Sequence, residues 1–188
     1  MGNAAWAEAG LALSGALRLA RGDRSGLACF DRSLDGFWRS FRAAAIAYPL
    51  YLMLLTMRVS VAEWQRSGGL QIVIVETIGY VISWVAFPLV VLAVTRWLGR
   101  EHRFFDFMVP YNWSQLPQTA LFVLVGIWSE SGMLGARGGY GILFLAVLVY
   151  EWYIARVALD TNFFAAVVIV LVDFVLSVLI SNVSASLY

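Results

Sequence analysis

The sequence predicts an all-α protein, a polytopic membrane bundle of about five transmembrane helices with an N-terminal amphipathic helix at the membrane interface. Of the 188 residues, 61% are hydrophobic and only 13% are charged, whereas a soluble domain carries about 25% charged residues. The hydrophobic residues are gathered in long runs, each near the roughly 20 residues that a helix needs to cross a bilayer. Both observations argue against a soluble globule.

The apolar runs divide the chain into two segments. Residues 1–42 are predicted as a cytoplasmic or interfacial amphipathic segment, and residues 43–188 as the transmembrane bundle. The predicted spans are about 41–59, 70–97, 108–129, 140–159 and 163–187. We expect the hairpin of the last two spans to be the centre around which the others pack, and residues 60–69 to be a short loop.

The third span is the least apolar of the five. Its first half, residues 110–118, contains two prolines and several polar side chains. A proline inside a helix removes a backbone hydrogen bond, and unsatisfied backbone groups are costly in lipid. We therefore expect this half to be irregular or kinked and buried against protein.

The N-terminal segment contains an amphipathic pattern over residues 27–42. Apolar residues recur there at steps of three and four, and charged residues fall largely on the other side, which is the period of a helix. Asp35 and Arg39 are spaced for an i,i+4 ion pair. We expect this helix to lie in the headgroup plane as an anchor, or alternatively to dock a partner. The anchor residues are Trp38, Arg39, Phe41 and Arg42.

Several polar and charged side chains lie at predicted membrane depth, where they are costly and usually face a protein interior. They are Glu76, Asn112, Gln115, Glu151, Arg156 and Asp173. Three interpretations compete. In the first, Arg156 reaches the inner surface and each acid is protonated or hydrogen-bonded to a polar partner. In the second, Arg156 pairs with an acid and holds the bundle or a neighbouring subunit. In the third, Glu151 and Asp173 form a proton or cation path. The partners considered for the first interpretation are Asn112, Gln115, Tyr153 and Asn182.

The distribution of arginine predicts the orientation. With five spans and a cytoplasmic N-terminus, ten arginines fall on the inside and three on the outside. Cytoplasmic loops carry an excess of basic residues. We therefore expect the N-terminus in the cytoplasm and the C-terminus in the periplasm. The three outside residues are Arg58, Arg66 and Arg137.

Composition also indicates which classes of function are unsupported. The net charge is +1, which gives no indication of nucleic-acid binding. The single Cys29 allows no internal disulfide, and the single His102 allows no histidine cluster. No catalytic motif occurs, so we expect neither an enzyme nor a cofactor. An integral-membrane enzyme, the least favoured class, would need His102 with Glu101 and Asp106 at the inner surface.

Two short stretches carry a resemblance. The sequences FWRSF at 37–41 and YNWS at 111–114 are similar to those of uncharacterised bacterial inner-membrane proteins of this size. The plan of a cytoplasmic N-terminal segment followed by five closely spaced spans, over about residues 30–187, resembles Yip1-type membrane proteins. The resemblance implies a bacterial inner-membrane location. Eukaryotic Yip1 relatives act in vesicle trafficking through binding partners, a role that does not carry over to a bacterial protein, and the resemblance assigns no functional residue.

Two functional hypotheses follow. The preferred one is a non-enzymatic inner-membrane protein, an accessory, assembly or membrane-organising subunit that binds membrane lipids, other integral membrane proteins or copies of itself. The alternative is a small transporter or channel that uses the intramembrane acids Glu76, Glu151 and Asp173.

Overall fold

The computed structural model describes the backbone of residues 2–130 and 136–188, and this part of the chain is helical apart from short connections. The all-α prediction is confirmed for these residues. The loop predicted between the third and fourth spans lies largely outside them. The helices are α1 Gly2–Ala20, α2 Leu34–Ser40, α3 Arg42–Arg58, α4 Val61–Ser67, α5 Gly69–Trp97, α6 Phe104–Glu130, α7 Ala136–Ala158 and α8 Phe163–Ala185, with short 3-10 helices at Arg24–Cys29 and Glu101–Arg103.

The long helices α3, α5, α6, α7 and α8 alternate in direction. At one end, Asp106 at the start of α6 pairs with Arg32 (3.2 Å), and Arg103 reaches Asp160 in the turn between α7 and α8 (3.7 Å). At the other end, Arg58 of α3 contacts Ser181 near the end of α8 (3.4 Å). We call these the Asp106 end and the Arg58 end. The segments predicted to be cytoplasmic meet at the Asp106 end.

Helix α6 is the centre of the bundle, and the prediction that the α7–α8 hairpin forms it is wrong. Helices α1, α2, α3, α5 and α7 all pack against α6, whereas α8 packs mainly against α5 and α7. Residues 107–114 of α6 are all buried. The physical reason is that α6 carries the most polar side chains, and a central position gives them protein partners rather than lipid.

The polar half of α6 is buried, as predicted, but it is not irregular. The helix runs continuously through Pro110 and Pro117. Hydroxyl side chains next to the prolines bond backbone carbonyls, with Ser114 donating to Tyr111 and Thr119 donating to Gln115, both at 2.7 Å. Neighbouring helices and such side-chain bonds allow proline inside a membrane helix.

The helix predicted over residues 27–42 is broken, and only its second half, α2, is α-helical. The break lies at residues 30–33, where Asp31 accepts a hydrogen bond from the backbone N–H of Ser33 (3.1 Å) and Ser33 caps α2 by accepting from Gly36 (3.0 Å). Short polar side chains compete with helix in this way. The predicted Asp35–Arg39 pair does not form, because Arg39 pairs with Asp31 and with Glu8 of α1.

The N-terminal segment shares one hydrophobic core with the bundle. Ala16 and Leu19 of α1 and Phe37 of α2 are buried in the same cluster as Phe107 of α6. Tyr150 of α7 donates a hydrogen bond to the Ala16 carbonyl (2.7 Å). Helix α1 therefore covers the bundle at the Asp106 end.

The loop predicted at residues 60–69 is instead mostly helix α4. Ser60 accepts from the Glu63 N–H (3.3 Å), and Glu63 accepts in return from the Ser60 N–H (2.8 Å), a capping box that starts the helix. The Ser60 hydroxyl and N–H both donate to the Glu63 carboxylate and lower the pKa of Glu63. The S-x-x-E spacing in the sequence was the signal for this helix.

Four helical segments in the described part are long and apolar enough, by length and composition, to cross a membrane: Leu34–Arg58, Gly69–Trp97, Gly139–Ala158 and Phe163–Ala185. Large apolar side chains on their outward faces are exposed, including Ile78 and Leu89 of α5 and Val175 and Leu179 of α8. Such continuous apolar faces are typical of a chain embedded in a membrane. The polar α6 is not among the four.

Candidate functional site

A cavity of about 240 Å³ lies between α5, α6, α7 and α8, and two acids predicted from the sequence line it. Glu151 of α7 is only 7% exposed, and Asp173 of α8 is half-buried. Asn112 and Gln115 of α6 line the same cavity. The structure thus brings together four of the six predicted intramembrane residues.

The two carboxyl groups are close enough to interact directly. Glu151 also lies beside Gln115, and Asp173 beside the hydroxyl of Tyr111. Two carboxylates in one buried site repel each other, so both remain charged only with a cation between them. The pair is therefore suited to hold either a proton or a bound cation.

Helix α6 positions the polar wall of the cavity. The amide nitrogen of Asn112 donates to the hydroxyl of Ser40 in α2 (2.8 Å), and the amide nitrogen of Gln118 donates to Ser114 one turn earlier (3.2 Å). All four residues are buried. These bonds fix the side chains that the polar half of α6 presents to the interior, and they explain why such a polar stretch is stable there.

Aromatic rings form much of the remaining wall. Phe87 and Tyr111 lie 4.4 Å apart between ring centroids, and Phe144 and Phe174 lie 5.8 Å apart. The faces of aromatic rings attract cations. Among the described residues that line this cavity, none is arginine, lysine or histidine. They are Ser83, Trp84, Phe87, Pro88, Tyr111, Asn112, Gln115, Gln118, Phe122, Phe144, Val147, Leu148, Glu151, Asp173, Phe174 and Ser177.

Glu76 lies elsewhere, in an ion pair at the Arg58 end. Its Oε2 accepts from the Tyr51 hydroxyl and from Arg58 Nη2, both at 2.6 Å, and its Oε1 accepts from the Tyr188 hydroxyl at 2.7 Å. The Glu76 side chain is only 3% exposed, against 47% for Arg58. Arg58, which the sequence analysis counted among the outside arginines, compensates this buried charge.

The part of the second interpretation in which Arg156 pairs with an acid inside the bundle is wrong for the described residues, and its contact with a neighbouring subunit stays a prediction. Arg156 donates to the Thr161 carbonyl (3.0 Å), and its guanidinium lies 5.9 Å from the centroid of the Trp152 ring. Within the described residues no acid is at salt-bridge distance from it. Arg156 is separated from Glu151 because the two residues are five positions apart, which puts them on different faces of α7. Of the proposed polar partners, Gln115 lies beside Glu151, while Tyr153 donates to the Gly22 carbonyl.

The predicted interfacial anchor lies at the Asp106 end. Trp38 is 65% exposed, and its ring stacks on that of Phe41 with centroids 5.9 Å apart. Arg39 and Arg42 both pair with Glu8, at 2.9 and 3.3 Å. Their charges are thus shared with α1, and the role of these four residues as an anchor stays a prediction.

Sequence reasoning did not identify several residues of the cavity. Tyr111 and Gln118 were part of the polar stretch but not singled out, and Ser83 and Ser177 were not considered. The signal for Ser177 is its spacing from Asp173, one helical turn away on the same face. In the described part of the chain, no three His, Cys, Asp or Glu side chains come together as a metal site.

No family model, no curated protein and no solved structure matches this chain. The likeness to Yip1-type proteins therefore stays a resemblance, and function is argued from the site alone.

Proposed function

We propose that this chain is a non-enzymatic integral membrane protein that binds a small cation between Glu151 and Asp173 and passes it through the bundle, as a small transporter or channel does. The observation that carries this proposal is the meeting of the buried Glu151 and the half-buried Asp173 in one cavity. Intramembrane acids that face a cavity commonly mark ion or proton paths.

The lining of the cavity favours a cation of the ammonium type. The two acids supply negative charge, the amides of α6 supply hydrogen-bonding groups, and the aromatic walls supply ring faces. Ammonium groups are attracted by ring faces and by carboxylates together. A volume of about 240 Å³ exceeds the roughly 30 Å³ occupied by one water molecule, so a small amine has room beside water.

The same proposal includes five membrane spans, with α6 as the buried fifth. Support comes from the alternating directions of the five long helices and from the exposed apolar faces of α5 and α8. Because most arginines lie towards the Asp106 end, this end is assigned to the cytoplasm of a bacterial inner membrane. A C-terminus labelled from the cytoplasmic side would overturn this orientation.

The test measures flux into proteoliposomes. The three probes, used separately, are radiolabelled methylammonium, Na⁺ and protons. Glu151→Gln and Asp173→Asn keep the size of each side chain and remove its charge, and we expect each to lower methylammonium uptake by at least tenfold. Asp35→Asn, at an exposed acid outside the cavity, is the matched control and should transport normally. Loss of proton flux alone would identify the proton as the ligand, and unchanged flux of all three probes in both variants would overturn the proposal.

The role as an accessory or assembly subunit stays a second proposal. Its support is the broad apolar face of α5 and α8, which suits lipid or a neighbouring helix equally well. Native mass spectrometry of the protein released from membranes tests it directly. A bare monomer without bound lipid or protein would count against it.

A further inference from the structure

The cavity that holds Glu151 and Asp173 is not isolated. A second cavity of about 140 Å³ shares Ser83 and Ser177 with it and reaches Glu76 and Arg58. A third, of about 370 Å³, shares Phe122 with the first cavity and Arg58 with the second. The three cavities therefore adjoin one another from the middle of the bundle towards the Arg58 end.

The described residues nearest the Asp106 end are packed into a hydrophobic core. Towards the Asp106 end, residues of α1, α2, α6 and α7 form one buried hydrophobic cluster that includes Leu19, Phe37, Phe107 and Leu159. Phe87, which lines the cavity, belongs to the same cluster. Cavities thus lie from the middle of the bundle towards Arg58, whereas the side covered by α1 is packed.

A polar stripe on α8 joins the two acid sites. Its members are Asp173, Ser177, Ser181 and Ser184, at steps of four, four and three residues, and Tyr188, which bonds Glu76, follows beyond the end of α8. These steps place the four residues on one face of α8, and over 11 residues the stripe extends about 16 Å. The opposite face of α8 is apolar and exposed, as at Val175 and Leu179.

The stripe faces the cavities and α5. Ser177 lines both the first and second cavities, Ser181 and Ser184 line the second, and Ser181 accepts a hydrogen bond from Arg58 (3.4 Å). Ser184 lies against Gly79 of α5, where an added Cβ would be 2.5 Å from the Ser184 hydroxyl oxygen. Hydroxyl groups lining adjoining cavities are suited to hold ordered water.

We propose that the three adjoining cavities form one hydrated vestibule, open at the Arg58 end, through which a cation reaches Glu151 and Asp173 along the polar stripe of α8. The vestibule rests on the proposed cation site for its ligand, and it adds the route and the side of entry. In this proposal Arg58 and Glu76 lie at the entrance of the vestibule. Their paired charges neutralise each other, so Arg58 does not repel an entering cation.

Cysteine accessibility tests the vestibule independently of transport. In a Cys29→Ser background, Ser177→Cys and Ser181→Cys place near-isosteric thiols on the stripe. Val175→Cys and Leu179→Cys place matched thiols at similar depth on the exposed apolar face. The probe is a trimethylammonium-ethyl methanethiosulfonate, which carries a permanent positive charge and reacts with hydrated thiols.

We expect the two stripe positions to react at least tenfold faster than the two apolar positions. The reaction should occur from the same side as Arg66→Cys, which lies in α4 at the Arg58 end. Equal rates at all four positions, or reaction only from the opposite side, would overturn the vestibule.

The two proposals fail separately. Rapid labelling of the stripe without any cation transport would leave the vestibule and remove the transport function. Transport that depends on Glu151 and Asp173 in a protein whose stripe cysteines are inert would leave the cation site and remove the vestibule.

Discussion

Removal of Arg58 should destabilise the protein far more than its exposure suggests. In Arg58→Ala the Glu76 carboxylate, 3% exposed, loses its only cation at salt-bridge distance among the described residues and keeps the hydroxyls of Tyr51 and Tyr188. Breaking a buried ion pair by removing one partner costs about 3–5 kcal/mol. Because Arg58 is half exposed and the two tyrosines remain, we expect the lower limit, about 3 kcal/mol.

The reverse change should cost less. Glu76→Gln removes the buried charge and leaves Arg58, whose side chain is 47% exposed and can turn towards water. The two tyrosine hydrogen bonds then involve a neutral amide instead of a carboxylate, and the difference between charged and neutral hydrogen bonds is about 1 kcal/mol each. The double variant should therefore be more stable than Arg58→Ala alone, since the second change removes the uncompensated carboxylate.

The assay is reversible unfolding in mild detergent, followed by intrinsic tryptophan fluorescence at increasing denaturant. Arg66→Ala is the matched control, because Arg66 is an exposed arginine at the same end and exposed substitutions usually change stability by less than about 0.5 kcal/mol. Equal stability of Arg58→Ala and Arg66→Ala, or a double variant less stable than Arg58→Ala, would refute the argument.

Three further predictions concern packing and capping. Gly79→Val should lower the free energy of unfolding by about 1–3 kcal/mol, because its side chain would meet the Ser184 hydroxyl; a neutral result in the same denaturant assay would contradict the close approach of α5 and α8. Ser60→Ala should cost about 1 kcal/mol and raise the pKa of Glu63 towards its ordinary value of 4.5, as measured by NMR titration. Since the folded pKa of Glu63 is lowered, its contribution is present above the unfolded pKa and is lost as the pH falls through the folded pKa. Tyr150→Phe removes the hydrogen bond from α7 to α1 and should speed hydrogen exchange in α1 at least several-fold, whereas exchange in α8 should not change.

The elements of the fold were largely predictable because each apolar run is long. The predicted spans at 70–97 and 163–187 agree closely with α5 and α8, since a helix is the only structure that satisfies its own backbone within such a run. The short elements were harder. The helix over 27–42 was broken by side-chain bonds of Asp31 and Ser33, and α4 was missed although its capping residues, Ser60 and Glu63, lie only three positions apart.

The site was predictable only as a set of unusual residues. A polar or charged side chain at membrane depth is visible in the sequence, because its cost in lipid does not depend on its partner. The partner is not visible, since it comes from another helix. Nothing local to Glu76 indicates that it pairs with Arg58 and two tyrosines, or that Glu151 meets Asp173 and Arg156 does not.

The sequence alone predicted an all-helical chain with long apolar helices. It also identified the polar and charged side chains that interrupt those helices. Only the tertiary structure decided that α6 is the centre, that two acids share a cavity and that the third is neutralised. The physical reason is that hydrophobic length is a property of one segment, whereas compensation of a buried charge depends on which helices pack together.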